Sequence, residues 1–141
     1  MVLLLRRLVA GRITNDEFED ALPLRSPDPA ISEIFLYGVW GCYSDLREHR
    51  LVGRQRLPRA ARREIARFIL FLKSDLEYEW PRQRLWERFL WMVAGLLTLG
   101  LAGRFYWRWL GRRGDVGVWP FIREDDLDRA MRHPCYLAGA A

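Results

Sequence analysis

Apolar residues recur three and four positions apart through much of the chain, which is the spacing that places side chains on one face of an α-helix. Outside the N-terminal hairpin described next, this pattern predicts helices at 29–48, 58–74, 83–110 and 124–132. The run 116–122 instead alternates and favours a single short strand. We therefore expect an all-α, or nearly all-α, bundle of five to six helices, with one long apolar helix and at most one short strand.

The first 22 residues predict a compact helical hairpin. A short apolar helix over 2–10 meets Gly11, a residue typical of helix ends. Thr14 and Glu17 stand three positions apart, as in a capping box, in which each residue's side chain bonds the other's backbone N–H. Ile13 and Phe18 flank this pair at the spacing of a hydrophobic staple.

Six residues of this hairpin resemble the SHOCT motif, a short bacterial helical module in which an apolar helix runs into Gly, then Ile-Thr, then Glu-Phe. The matching residues are Leu8, Gly11, Ile13, Thr14, Glu17 and Phe18. The resemblance covers residues 3–22 only. It implies an element for protein interaction or oligomerisation and brings no catalytic chemistry with it.

Prolines divide the rest of the chain into three predicted segments. A linker at Pro23–Pro29 leads into a helical core that extends over 23–81. Residues 82–113 form an apolar segment flanked by aromatic residues, and 114–141 form a short C-terminal segment with one helix. The apolar start of the chain is cut short by Arg6 and Arg7, so we expect a folded helix there and no secretory signal.

Residues 89–103 carry no charge and have arginines and aromatic rings on both sides. As a helix they would extend about 22 Å, short of the roughly 30 Å hydrocarbon core. Aromatic rings at both ends are typical of a membrane interface. Two interpretations stay open, association with a membrane or burial as a core helix. We favour membrane association with a cytoplasmic portion, and a cytoplasmic protein is the alternative.

The chain has a formal net charge of +5, and all of its 23 basic residues except Lys73 are arginines. Arg47–Arg67 holds eight arginines against Glu48 and Glu64, so this stretch is the candidate contact for an acidic partner or nucleic acid. It contains no recognised nucleic-acid motif. We therefore expect lipid, a protein partner or self-association before nucleic acid, and the sequence indicates no small-molecule substrate.

Two cysteines, Cys42 and Cys135, lie far apart, as suits unpaired thiols in a reducing compartment. If the helix over 29–48 continued far enough, Cys42, Asp45 and His49 would share one face. Such a trio is a conceivable metal or acid–base cluster. A core cysteine beside a solvated Asp–His pair is the simpler interpretation.

Alternating carboxylates at Asp75, Glu77 and Glu79 would share a face of an extended segment, where they are able to bind a cation or move protons. A solvated acidic edge is the simpler interpretation of them. No phosphate loop, nucleophile elbow or zinc spacing is present. The sequence thus assigns no catalytic, cofactor-binding or metal residue, and predicts a non-enzymatic interaction or regulatory protein, with an enzyme of unknown class as a further alternative.

Overall fold

The computed structural model describes residues 1–23, 26–80, 90, 93–98 and 101–133. Over these residues the chain is helical, and the described part contains no β-strand beyond one isolated bridge. The prediction of a nearly all-α fold is therefore confirmed. The chain divides into two compact units, one formed by Met1–Glu77 with the residues from Arg129 onward and the other by Tyr78–Asp128.

Helices in the first unit surround a core of aliphatic and aromatic side chains. They are α1, Val2–Val9; α2, Asn15–Asp20; α3, Pro29–Ile34; and α4, Arg59–Phe71. The most deeply buried apolar side chains of this unit are Leu5, Leu8, Phe18, Ile34, Val39, Ile65 and Phe68. Burying one such side chain contributes about 1.5–3 kcal/mol, so this core is the main source of the unit's stability.

The predicted hairpin between α1 and α2 is present with both of its local signals. Gly11 has φ +65° and donates its N–H to the carbonyl of Leu8, while Arg12 donates to Arg7. These two bonds close a Schellman turn. Thr14 Oγ1 accepts from the backbone of Glu17 at 3.1 Å, and the Glu17 carboxylate accepts from the backbone of Thr14 at 2.8 Å. The capping box is therefore confirmed.

The helix predicted over 29–48 begins as expected and ends early. Asp28 caps it by accepting from Ala30 N at 2.9 Å. After Ile34 the backbone widens into a π-helical turn at Phe35–Val39, tightens into a 3-10 turn at Trp40–Cys42, and becomes extended at Tyr43. The prediction of one long helix is wrong, because the backbone beyond Cys42 finds its hydrogen-bond partners outside any helix.

Asn15 supplies those partners. Its side chain is completely buried, and its Oδ1 accepts from His49 N at 2.7 Å. Its Nδ2 donates to the carbonyls of Ser44 at 3.4 Å and Arg47 at 3.3 Å. Its own backbone N–H donates to His49 O at 3.1 Å, beside an antiparallel bridge between Thr14 and Arg50. One amide thus fastens the segment after Cys42 to the start of α2.

The amphipathic helix predicted over 58–74 is confirmed as α4. Ile65, Phe68 and Phe71 are buried, and Arg59 and Arg63 are exposed. The helix closes at Ser74, whose hydroxyl donates to the carbonyl of Phe71 at 2.7 Å. This side-chain bond satisfies one of the carbonyls that a helix end leaves open, so the helix stops near its predicted limit.

The second unit contains α5, Leu101–Gly111, a 3-10 turn at Val116–Val118, and the start of α6, Glu124–Arg132. Trp80 is buried, and its indole N–H donates to the carbonyls of Pro120 at 3.0 Å and Phe121 at 3.1 Å. The strand predicted over 116–122 is not formed. Asp115 accepts from Gly117 N at 2.8 Å, which turns the chain, and the indole takes carbonyls that a strand would offer to a neighbour.

The long apolar helix predicted over 83–110 is also not found. Among the residues described there, 93–97 are helical and α5 begins again at Leu101. Thr98 lies at the interruption: its hydroxyl donates to Ala94 O at 2.6 Å and accepts from Ala102 N at 3.0 Å. The carbonyl of Thr98 meanwhile accepts from Leu101, which tightens the turn. Residues 81–89, 91, 92, 99 and 100 lie outside the described residues.

No helix in the described ranges combines the length and the apolar character that crossing a bilayer requires. The membrane association predicted for 89–103 stays a prediction, and residues 89, 91, 92, 99 and 100 of that run lie outside the described residues.

Replacing Asn15 tests the amide connection. Asn15→Ala leaves the part-buried His49 N–H and two carbonyls without their side-chain partner, so we expect the free energy of unfolding to fall by about 1–3 kcal/mol. Urea unfolding followed by circular dichroism measures it. Asp16→Asn, at an exposed position of the same turn, is the control and should change stability by less than about 0.5 kcal/mol. Equal destabilisation of both variants would contradict the role given to Asn15.

Three glycine substitutions separate backbone strain from steric overlap. Gly11 and Gly53 both have positive φ, but a Cβ on Gly11 would overlap Val52 Cγ1, whereas a Cβ on Gly53 meets no atom of the described chain. Gly53→Ala should therefore cost about 1 kcal/mol of stability, and Gly11→Ala about 2–4 kcal/mol, since a residue with a Cβ is strained at positive φ and overpacking adds to it.

Gly41→Ala, which meets neither problem, is the reference in the same urea experiment. Adding Val52→Ala to Gly11→Ala removes the overlapping methyl group and should restore part of the stability. A Gly11→Ala protein no less stable than Gly53→Ala would contradict the close packing of Gly11 against Val52.

Candidate functional site: an exposed apolar stripe bordered by arginines

Helix α5 presents large apolar side chains to solvent. Leu101, Phe105 and Trp109 follow one another at four-residue spacing, so they form one stripe along the helix, and all three are exposed. Phe105 keeps 69% of its surface accessible. Folded proteins seldom leave such a row of large apolar side chains in water, so this stripe is a candidate for contact with another surface.

A second stripe, of arginines, lies next to the apolar one. Arg104 and Arg108 are one residue before Phe105 and Trp109, and Arg112 continues the row beyond the end of α5. All three are exposed. Arg113 places its guanidinium 4.6 Å from the centre of the Trp109 ring, within the range of a cation–π contact. The helix therefore offers apolar surface and positive charge side by side.

The exposed apolar surface continues before α5. Leu96 and Leu97 are 73% and 80% exposed, and Leu90 is exposed as well. The sequence contains no acidic residue between Glu87 and Asp115. We use the name apolar surface for these exposed side chains and the stripe on α5 taken together: Leu90, Leu96, Leu97, Leu101, Phe105 and Trp109. Removing each from water is worth about 1.5–3 kcal/mol, so the surface has a substantial drive towards burial.

The candidate cluster of Cys42, Asp45 and His49 does not share a helix face, because the helical backbone ends at Cys42. Cys42 donates its thiol to the carbonyl of Gly38 at 3.2 Å. His49 directs Nδ1 to the carbonyl of Arg47 at 2.8 Å, and Asp45 is exposed. The described residues hold no group of three side chains able to bind a metal ion.

Burial raises the pKa of the Cys42 thiol, and the negative charge of Glu64 raises it further. A nucleophilic cysteine needs the opposite shift, because the thiolate is the reactive form. The neighbouring Tyr43 hydroxyl donates to the Glu19 carboxylate at 2.9 Å. Burial and this hydrogen bond raise the pKa of Tyr43 as well, so both groups stay protonated near neutral pH.

The alternating carboxylates lie in an irregular segment rather than in a strand. Asp75, Glu77 and Glu79 are all exposed, which agrees with a solvated acidic edge. The basic stretch Arg47–Arg67 also lies largely on the surface: six of its eight arginines are exposed, and Arg62 and Arg67 are partly buried.

Two structural features were not predicted from the sequence. The apolar surface extends past the uncharged run 89–103 as far as Trp109, because Leu101, Phe105 and Trp109 repeat every four residues between the arginines. This repeat is the signal in the sequence that could have identified it. Asn15 carried no such signal, since its partners lie about 30 positions further along the chain.

Comparison with protein-family models, curated proteins and solved structures finds no match, so function has to be inferred from the residues themselves.

The reactivity of Cys42 tests its environment. In a Cys135→Ser protein, the raised pKa leaves less thiolate at pH 7.5 than an ordinary cysteine has, so alkylation by iodoacetamide should be at least about fivefold slower than for an exposed thiol. The rate should rise only at more alkaline pH. The reference thiol comes from Leu46→Cys in a protein that also carries Cys42→Ser and Cys135→Ser, because Leu46 is 87% exposed. Equal rates at pH 7.5 would contradict the burial of Cys42.

Proposed function

We propose that this chain is a non-enzymatic interaction protein that attaches to the surface of an anionic membrane through the segment 89–111. Helix α5 would lie along the lipid–water boundary, and the side chains of the apolar surface would insert among the acyl chains. The proposal rests on one observation, the row of exposed apolar side chains on α5 beside a row of exposed arginines. An amphipathic helix of this composition is typical of an interfacial membrane anchor.

The mixture of side chains favours lipid over a protein partner. Arg104 and Arg108 have aliphatic stems that can follow the apolar surface while their guanidinium groups reach the headgroups. Trp109 is of a residue type that gathers at the level of the headgroups, and Phe105 is typical of the apolar face of an interfacial helix. Because no acidic residue falls between Glu87 and Asp115, nothing in this segment repels anionic lipid.

The negatively charged cytoplasmic leaflet is the surface that fits this charge. Basic residues near such a leaflet gain roughly 1 kcal/mol each, and the apolar side chains add a contribution that salt does not screen. The two contributions together make attachment reversible but stable, as expected for a regulatory protein that binds at a membrane surface.

Vesicle flotation tests the proposal. The full chain should float with vesicles of phosphatidylglycerol and phosphatidylcholine, and less with phosphatidylcholine alone. Phe105→Glu places a charge in the middle of the apolar surface and should weaken binding at least tenfold, because it removes about 1.5–3 kcal/mol of apolar burial and adds an anion. Leu46→Glu, which introduces the same side chain at an exposed leucine of the first unit, is the matched control and should float normally.

Two results would overturn the proposal. One is equal flotation of Phe105→Glu and the unaltered protein. The other is a protein that ignores vesicles but forms an oligomer in solution, measured by sedimentation velocity, which Phe105→Glu dissociates. That second outcome would assign the apolar surface to self-association.

A further inference from the structure

The first unit carries a surface of a different character from α5. Along the loop before α4 and the first turns of that helix, six arginine side chains are exposed. We call them the arginine surface: Arg47, Arg50, Arg54, Arg56, Arg59 and Arg63. They fall within 17 consecutive residues, all of which the structure describes. The proposed membrane contact lies in the other unit and uses none of them.

Few acidic residues accompany these charges in the sequence, where Glu48 and Glu64 are the two within or next to the stretch 47–63. In the described residues, no carboxylate forms an ion pair with any member of the arginine surface. Of the two nearby acids in sequence, Glu48 accepts a hydrogen bond from the Thr14 hydroxyl at 2.9 Å. Arg62 adds a further charge, and its buried Nε has no hydrogen-bond partner in the same part of the chain. The surface is therefore strongly positive, and a bound anion would reduce the repulsion between its guanidinium groups.

The stretch 47–63 contains no aromatic residue and little exposed apolar surface, although Leu46 just before it is 87% exposed. Among residues 47–63, Val52 is the one large apolar side chain that is exposed, while Leu51 and Leu57 are buried. The same stretch contains no Phe, Tyr or Trp. A ligand that binds here must accordingly be held by charge and hydrogen bonds, with little gain from removing apolar surface from water.

That chemistry selects among the anionic surfaces that a cell offers. Protein interfaces have a desolvated core enriched in aromatic residues, which this surface cannot supply. Membrane attachment by charge alone is weak without inserted side chains. Single-stranded nucleic acid is bound largely by stacking bases on aromatic rings, which this stretch does not contain. Double-stranded nucleic acid instead presents a dense row of phosphates that arginines bind without any stacking.

We infer that the arginine surface of the first unit binds the phosphate backbone of double-stranded nucleic acid without reading its sequence. The guanidinium groups of Arg54, Arg56 and Arg59 would contact successive phosphates from the loop and the first turn of α4. Arginine suits this task because its planar fork can hold two phosphate oxygens at once. We do not expect these side chains to read base sequence. Arg54 and Arg56 lie in a loop, and α4, which carries Arg59, is not part of a known DNA-recognition motif.

Fluorescence anisotropy with a labelled DNA duplex tests the inference on the full chain. The quadruple variant Arg54→Gln, Arg56→Gln, Arg59→Gln, Arg63→Gln should bind at least tenfold more weakly, and the slope of log K against log salt should fall by about 3–4, roughly 1 for each arginine that no longer neutralises a phosphate. The matched control changes four exposed arginines of the second unit to Gln, Arg104, Arg108, Arg112 and Arg113, and should keep duplex affinity within about threefold.

Circular dichroism of both variants checks that each is folded, and the double variant Arg54→Gln, Arg56→Gln serves if the quadruple one is not. Absence of salt-dependent duplex binding by the unaltered chain would overturn the inference, as would equal weakening in both quadruple variants. Binding of poly-glutamate or of a single strand as tight as that of the duplex would overturn it too. A first-unit variant that binds vesicles more weakly but the duplex normally would assign these arginines to lipid instead.

Discussion

The buried amide of Asn15 is the interaction on which the architecture of the first unit depends. A helix that ends inside a protein leaves carbonyls and N–H groups that must find partners. Asn15, whose side chain is completely buried, provides three part-buried hydrogen bonds to the segment after Cys42. The same amide holds the backbone at Arg47 and His49, where the arginine surface begins.

Local signals explain which parts of this fold were predictable. The Schellman turn at Gly11, the capping box of Thr14 and Glu17, and the start of α3 at Asp28 each depend on residues within five positions of one another. The course of the chain after Cys42 depends instead on Asn15, whose partners are 29 to 34 residues away. The apolar spacing continued past Cys42 and predicted more helix there. The hydrogen bonds of Asn15 instead hold that segment in a non-helical conformation.

The second unit shows the same limit. Alternating apolar residues favoured a strand over 116–122, but the carbonyls of Pro120 and Phe121 accept from an indole 40 and 41 positions away. The uncharged run 89–103 was evident, yet whether it is buried depends on what the rest of the chain brings to it. The described leucines of this run are exposed, and at Thr98 the hydroxyl oxygen, instead of the carbonyl, accepts from Ala102 N.

The two surfaces differ in the source of their binding free energy, and that difference separates their ligands. Side chains such as Leu97 and Phe105 gain by leaving water, a gain that added salt does not screen. In the duplex contact proposed for the arginine surface, Arg54 and Arg56 would gain by displacing counterions from a polyanion, a gain that would fall steeply as salt rises. A surface of the first kind needs a partner with an apolar interior, whereas one of the second needs only closely spaced negative charge. The two surfaces share no residue, so substitutions in one leave the side chains of the other unchanged.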